Sequence, residues 1–573
     1  MKNAEIADIF DRIADMLEFK GEMVFKVASY RRAARTLRDT PEDIAVVVAE
    51  KRLSELAGIG KSMAEKIEEY LRTGKIAKSE ELCKGYSEEF IVMLQIPGMG
   101  PKSLAVIHSN LKISTIKELE AACLDGRLSQ LPGLGAKKAE NILKGIEFLR
   151  QSSKRIPLGI ALPVAEQIVA AVRKFKAVER AEMAGSLRRM RDTIGDIDIL
   201  ASSAHPQDAI HAFTAMPEVK RVLAAGGTKA SVIVEGNQQI DLRVVEEESY
   251  GSALLYFTGS KPHNVKLRDL AKGMGLKINE YGVFRGDRKI AGRDEEDVYD
   301  AAGLVWIPPE LREDRGEIEA AMESKLPHLV TIEQIRGDLH VHSDFSDGSA
   351  TLEQLARRAE DLGYEYLAVT DHSQSLKIAH GLTAERVEEK MARIRELNKK
   401  LKKMTLLLGT ELDILSNGKL DYPDEVLEQF DWVVASIHSG FKQPGEKITQ
   451  RIIAAMEHPL VDCIAHPTGR QIGRRAPYEL DLEKVLQAAA RTETAIEINA
   501  NYDRLDLDDI WCRRAKKYGV KLAIGTDAHK LEHMSMIRLG VAVARRGWLE
   551  PQDVLNTLPL KKLRRKRPCL ART

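Results

Sequence analysis

GSLRRMRDTIGDIDIL, residues 185–200, ends in an alternation of acidic and apolar residues. On a strand, Asp196 and Asp198 project from one face while Ile197 and Ile199 bury the other. A second alternation, QIDLRV at 239–244, presents Asp241 and Arg243 in the same way. Three converging carboxylates repel one another, and two hard divalent cations ~3.5–4 Å apart would satisfy them. That is the requirement of two-metal nucleotidyl transfer. Upstream, Gly185 and Ser186 can cradle a triphosphate and Arg189 can neutralise its charge. An isolated Asp-x-Asp is more often an exposed acidic strand edge. The Gly-Ser element and the third aspartate turn the reading toward a site.

Outward from this stretch, 573 residues predict three to four domains at roughly 150 residues each. With 44% hydrophobic and 30% charged residues, several packed cores are available and a largely disordered chain is excluded. No apolar run reaches the ~18 residues of a spanning helix, and the opening MKNAEIADIFDRIADML lacks a signal-peptide core, so a soluble, cytoplasmic protein without a membrane partner is expected. Five scattered cysteines without a CxxC pair support neither a disulfide framework nor a thiolate zinc finger. Basic and acidic residues nearly balance, 87 against 86, so bulk charge does not announce a nucleic-acid partner. Local runs do stand out: FKVASYRRAARTLRD at 25–39 has no acid before Asp39, and KKLRRKR lies at 561–567.

From 1 to about 155, apolar spacing at three and four with glycine-marked turns predicts helices throughout. Three copies of one pattern recur there: LAGIGKSMAEKI (56–67), LQIPGMGPKSLAVI (94–107) and LPGLGAKKAENI (131–142). The glycine pairs Gly58/Gly60, Gly98/Gly100 and Gly133/Gly135 permit tight turns that expose backbone amides at a helix N-terminus, where a phosphate oxygen is favoured. This is the helix-hairpin-helix motif, a sequence-independent grip on a nucleic-acid backbone.

From 160 to 320 strand-like runs alternate with helices, an α+β region. From about 336 short apolar strands alternate with helices as in a βα barrel. Metal-ligand types follow those strands: His340, His342 and Asp347 in HVHSDFSD, His372 in TDHS, Glu411 in GTELDI, His438 in SIHSG, His466 in AHPTG, Asp527 and His529 in GTDAH. In a parallel barrel all gather at the strand C-terminal face. Imidazole and carboxylate without thiolate suit Zn²⁺, Mn²⁺ or Fe²⁺.

The 185–200 and 239–244 stretches, with LYFTGSKPHNVKLRDLAKGMGLKINEYGVF (255–284), resemble the palm and thumb of a family X DNA polymerase of the polymerase beta type. The last region resembles a PHP domain, a distorted (β/α)₇ barrel with a nine-ligand trinuclear site. Together they resemble the bacterial and archaeal family X polymerases that carry this extra domain. The resemblance implies a multidomain chain: a lyase-like helical domain (1–85), a helix-hairpin-helix fingers-like domain (86–155), an α+β nucleotidyltransferase palm (156–245), a thumb (246–320), a linker (321–335) and the PHP barrel (336–573). It implies that Asp196 and Asp198 bind two Mg²⁺ or Mn²⁺ ions, and that Asp241 joins the catalytic one and assists deprotonation of the primer 3′-hydroxyl. Arg155, Gly185, Ser186 and Arg189 would meet the dNTP triphosphate, Tyr256 and Phe257 would lie under its sugar, and Gly195 and Gly259 would also bind the nucleotide. Asn264 would reach the minor-groove edge of the incoming base and Arg268 the template. Lys261, Pro262 and His263 depart from the family pattern.

The same resemblance puts Lys66 at the Schiff-base position of the lyase domain, beside Lys26 and Tyr30. An unprotonated amine is required there, so Lys61, Arg31 and Arg32 are expected to lower its pKa. In the barrel, His340, His342, Glu411 and Asp527 would hold one ion, Glu411, His438 and His466 a second, and Asp347, His372 and His529 a third, as Zn²⁺ or Mn²⁺. Arg470, Arg474 and Arg475 in GRQIGRR are candidates for steering a DNA phosphate. The expected activity is gap-filling synthesis on gapped or nicked DNA in base-excision or end repair, by a monomer. A 3′-to-5′ exonuclease, AP endonuclease or 3′-phosphatase in the barrel and a 5′-deoxyribose-phosphate lyase are expected beside it. Two other readings stay open: a barrel that hydrolyses a small phosphate ester such as histidinol phosphate, and a polymerase half that only binds DNA.

Overall fold

A computed structural model describes residues 2–40, 44–56, 58–96, 99–151, 155–235, 238–472, 475 and 477–563. The chain divides into two units, residues 1–154 and 155–573.

The described part of the first unit is helical, as the apolar spacing predicts. Helices Lys2–Phe19 and Val24–Asp39 pack along each other. Their buried Phe10, Leu17, Tyr30 and Leu37 begin a core that runs on through Phe90, Leu104 and Ile142. Segments 1–85 and 86–154 therefore share one core, with Phe19 edge-on to Phe90 at 5.4 Å. The glycine-marked turns open helices: Gly60 caps Lys61–Thr73, Gly100 caps Pro101–Leu111, and Ala136–Gln151 follows Gly135.

The second unit begins with a five-stranded sheet in the order Arg180–Met183, Ile197–Ser202, Gln239–Val245, Lys229–Val234, Val219–Ala225. Helices Leu158–Val172 and Pro206–Thr214 pack on it. Helix Tyr250–Thr258 leads into a smaller body of helix Lys261–Gly273 and a three-stranded antiparallel sheet. Its core contains Leu267, Tyr299 and Ile307. Arg312, fully buried there, donates through both terminal nitrogens to Glu295 at 2.6 and 3.0 Å.

Seven parallel strands follow in sequence order, from Gly337–Val341 to Leu522–Gly525. An isolated parallel bridge, Val341 to Ala528, brings the last strand's end back beside the first, so the barrel is nearly closed. Both faces of these strands are buried, which is why they read as continuous apolar runs. Palm and barrel share one apolar core. Ion pairs join the barrel to the palm and thumb: Arg538 to Glu166 at 2.8 Å, Arg545 to Glu310 at 2.7 Å, and Arg546 to Glu313 at 3.1 Å.

Candidate active sites

The strands Ile197–Ser202 and Gln239–Val245 run parallel, and their register sets Asp198 directly against Asp241. Asp196 stands at the exposed lip, and the three aspartates each offer an oxygen within 4.8 Å of the others. Gly185 has φ +62°, and a Cβ there would fall 2.2 Å from Asp198 Oδ2, so glycine alone lets this turn close over the carboxylates. Burial and the charges of Asp196 and Asp241 push the Asp198 carboxyl up to about 7. A crowded all-oxygen donor set that resists full ionisation by itself fits hard divalent cations. Lys229 Nζ lies 2.6 Å from Asp241 Oδ2, and Gln239 donates to Oδ1 at 2.9 Å. Neither partner belongs to the Asp-x-Asp pattern. Their only sequence signal is polarity at the ends of neighbouring strands.

Around these acids the expected nucleotide contacts divide. Arg155 donates to the Thr193 hydroxyl at 2.8 Å and carbonyl at 2.6 Å, which stations it beside Gly195. Ser186 is half-buried next to Gly185. Arg189, expected at the triphosphate, is instead committed to Glu313 at 3.0 Å and to the Thr258 carbonyl. Its mostly buried guanidinium is thus neutralised within the protein. Tyr256 is exposed, Phe257 lies 5.1 Å from it, and Arg243 covers the Phe257 ring at 4.4 Å. Gly259 ends that helix at φ +71°. Asn264 donates to the Tyr256 carbonyl at 2.8 Å and leaves its own buried Oδ1 without a partner. Arg268 Nε donates to the Asn264 carbonyl at 3.2 Å. The Lys261–Pro262–His263 departure has a structural reason. His263 is fully buried between Glu317 (2.7 Å) and the Tyr299 hydroxyl (2.9 Å), while Lys261 stays exposed.

In the first unit Lys66 Nζ donates to the Ser62 hydroxyl at 2.9 Å and lies 5.9 Å from the Tyr30 ring centre. Tyr30 is buried, and burial pushes its hydroxyl up to about 12. Arg31, expected to act on Lys66, pairs with Asp15 (2.8 Å) and Glu18 (3.1 Å), so its charge is compensated. Lys26 pairs with Glu22 at 3.2 Å. Gly58 and Gly133 adopt φ +90° and +74°, while Gly60, Gly100 and Gly135 have open space where a Cβ would sit. Gly98 lies outside the described residues.

All nine expected barrel ligands meet at the strand C-terminal ends. Glu411 is central: its Oε1 lies 2.8 Å from His466 Nε2 and 3.1 Å from His438 Nε2, its Oε2 2.9 Å from His372 Nδ1. Donor atoms converge within 4.8 Å in three groups: His342, Asp347, His372 and His529; His340, His342 and Asp527; His372, Glu411 and His438. His342 and His372 each belong to two groups, where the resemblance gave each to one ion. The cause is that an imidazole has two nitrogens. His342 turns Nε2 to Asp527 (3.3 Å) and Nδ1 to Asp347 (3.8 Å). That buried Nδ1 has no hydrogen-bond partner, and its spacing to Asp347 is too long for a hydrogen bond but suits a cation held by both.

Against the burial that lowers it, Glu411 and Asp413 push the His438 imidazole up to about 10, while burial beside His529 and His372 takes His342 down to about 3. Cations would replace protons on such a set. His466 and Asp527 bend into the left-handed region, at φ +27° and +52°, an uncommon backbone that persists where surrounding structure dictates it.

Several residues that support the cluster carry weaker sequence signals. Glu497 accepts from His466 N at 2.7 Å and lies 2.6 Å from His340 Nδ1. Its signal is an acid inside the buried strand Ala495–Asn499. A Cβ on Gly525 would fall 2.3 Å from Glu497 Oε1, so that glycine makes room for the acid. Asp371 accepts from the Ser343 hydroxyl (2.7 Å) and Ser346 hydroxyl (2.6 Å), holding the turn that carries Asp347, and is paired with buried Lys390 at 2.7 Å. Lys390 is a lone cation on the buried side of helix Ala384–Asn398. Arg470, a candidate for steering DNA, turns inward to Asp192 (3.4 Å) and the Arg504 carbonyl (2.8 Å). Arg475 lies over the Phe441 ring at 4.5 Å, and Arg474 is outside the described residues.

A carboxylate palm with a thumb, joined to a histidine-rich parallel barrel, defines a nucleotidyltransferase coupled to a metal-dependent phosphoesterase. Family models agree segment by segment: a helix-hairpin-helix domain at 1–76, a SAM-like helix-hairpin-helix tandem at 90–147, a DNA polymerase beta thumb at 253–313 and a PHP domain at 338–501. The "DNA polymerase/3'-5' exonuclease PolX" of Bacillus subtilis (strain 168) is 40% identical over 98% of both chains. "Probable phosphatase" proteins of Thermoanaerobacter sp. (strain X514) and Acetivibrio thermocellus are each 32% identical, over 38% and 34% of this chain and 89% and 78% of their own. The chain belongs to the PolX family, the family X DNA polymerases that carry a PHP domain.

Proposed function

We propose that this DNA polymerase and 3′-to-5′ exonuclease fills short gaps during DNA repair, adding nucleotides in the palm and trimming unusable 3′ ends in the barrel. The observation that carries the synthetic half is the strand register opposing Asp198 to Asp241, with Asp196 beside them. Divalent cations, Mg²⁺ or Mn²⁺ in the palm and up to three Zn²⁺ or Mn²⁺ in the barrel, would neutralise phosphate charge and acidify the attacking hydroxyl or water. Asp196 and Asp198 hold the palm pair. Asp241, fixed by Lys229 and Gln239, receives the primer 3′-hydroxyl proton. Gly185, Ser186 and Arg155 face the triphosphate, and Tyr256 and Phe257 the sugar. The nine barrel residues hold the hydrolytic ions.

The hairpins of the first unit grip DNA backbone on gapped or nicked duplexes without reading sequence. Lys66 is the candidate amine for abasic-sugar cleavage; a Lys66→Ala protein that traps as well as the parent with borohydride would remove it. The protein acts as a cytoplasmic, DNA-associated monomer. Among the described residues no helix is long and apolar enough to cross a membrane. A small-molecule phosphatase reading is not favoured, because the phosphatases resemble only the barrel part whereas the polymerase relative spans nearly the whole chain.

Paired variants test the division of labour on one gapped duplex. Asp198→Ala abolishes extension and spares 3′-end degradation, and His342→Ala does the reverse. Loss of both activities in either variant contradicts separable sites.

A further inference from the structure

Ile378 is 90% exposed, and among the described residues from 337 onward it is the one large apolar side chain on the surface. It caps a loop that begins at His372, a member of the metal-ligand cluster. The loop closes where Leu382 N donates to the His372 carbonyl at 2.9 Å. This loop is rigidly built. Ala379 N, His380 N and Gly381 N all donate within it, Arg386 donates to the His380 carbonyl at 2.9 Å, and Ala379 is buried beneath the tip. Gly381 packs so closely that a Cβ would lie 1.9 Å from the Ser373 carbonyl oxygen. Ser375 donates to Asp413 Oδ2 at 2.7 Å, and Asp413 Oδ1 is 3.0 Å from the ligand candidate His438. Ile378 is three residues beyond Ser375, at most ~10 Å of chain. With bases stacked ~3.4 Å apart along a strand, that length is about three base steps. Lys377, exposed next to it, supplies a cation of the kind that meets backbone phosphate.

We propose that Ile378 is a wedge against the terminal base pair, unstacking a paired 3′ end so that its last nucleotide enters the barrel. A rigid apolar tip offered to solvent gains contact area when it meets a base face, and apolar wedges between base steps are a general way to unstack DNA. The proposal rests on the assignment of 3′-to-5′ degradation to this cluster.

The test compares the full-length protein with Ile378→Ser on one labelled strand, presented as a matched duplex, with a 3′ mismatch, and as a single strand. The ratio of matched-duplex to single-strand degradation should fall about tenfold, less for the mismatch, with Ile378→Leu restoring it. In a His342→Ala background, DNA bearing a 3′-terminal 2-aminopurine should brighten on binding, and adding Ile378→Ser should abolish the brightening while DNA affinity is retained. An unchanged ratio, or brightening that survives Ile378→Ser, overturns the wedge. Degradation that persists in His342→Ala overturns instead the assignment beneath it.

Discussion

At the scale of single residues, Asp198 governs how the palm responds to pH. Its carboxyl is raised to about 7 by burial and by Asp196 and Asp241, from an ordinary 3.8. Without metal, the folded protein therefore keeps at Asp198 a proton that the unfolded chain has lost, and the contribution of Asp198 to stability falls as pH rises from about 4 to about 7. In thermal melting with chelator Asp198→Asn should make the fall in stability over that range shallower than in the parent, and Mg²⁺ at pH 8 should raise the melting temperature of the parent more than that of Asp198→Asn. Identical pH profiles for the parent and Asp198→Asn in chelator would contradict the crowding. Gly185→Ala places a methyl against Asp198 at a left-handed φ and is expected to cost about 1–3 kcal/mol. Primer extension should drop roughly 100-fold, a rate factor equal to about 2.7 kcal/mol of barrier, with 3′-end degradation retained.

At the scale of elements, both site patterns were legible because each rides on a strand. The Asp-x-Asp alternation needs only a period of two, and the histidines follow apolar runs that a parallel barrel gathers at one end. What could not be read is whatever depends on contacts across the fold. Nothing local marks Arg189 as the partner of Glu313, 124 residues away. His342 serving two ligand groups follows from ring orientation, and Lys390 under Asp371 follows from helix packing. That last pair yields a prediction. Lys390→Met strands a buried carboxylate beneath the turn carrying Asp347, and should cost about 3–5 kcal/mol. It should also weaken metal uptake by the barrel, read by calorimetric titration with Mn²⁺, while primer extension survives. Metal uptake equal to that of the parent would mean that the turn keeps its shape without Asp371 being neutralised.

At the scale of the whole molecule, the joint between palm, thumb and barrel is electrostatic as well as apolar. Arg546 donates to the Arg189 carbonyl at 2.7 Å and pairs with Asp509 at 2.6 Å and Glu313 at 3.1 Å, all mostly buried. Scanning calorimetry should show residues 155–573 melting as one transition, with residues 1–154 giving another. Arg546→Ala should lower the stability of the larger unit by about 1–3 kcal/mol, because Glu313 and Asp509 each lose one buried donor while keeping Arg189 and Arg315. Separate melting of palm and barrel would contradict a shared core.

The bridges have a consequence for inheritance. A descendant gene that shed the barrel would leave Glu166, Glu310 and Asp192 without their barrel cations on newly wetted surface, and one that shed the palm and thumb would leave Arg538 and Arg545 without their acids, while Glu313 keeps Arg189 and Arg546 keeps Asp509. Neither fragment is ready to live alone. Lineages that have parted the two halves should carry rewritten side chains at these positions before any change reaches Asp196, Asp198 or Asp241.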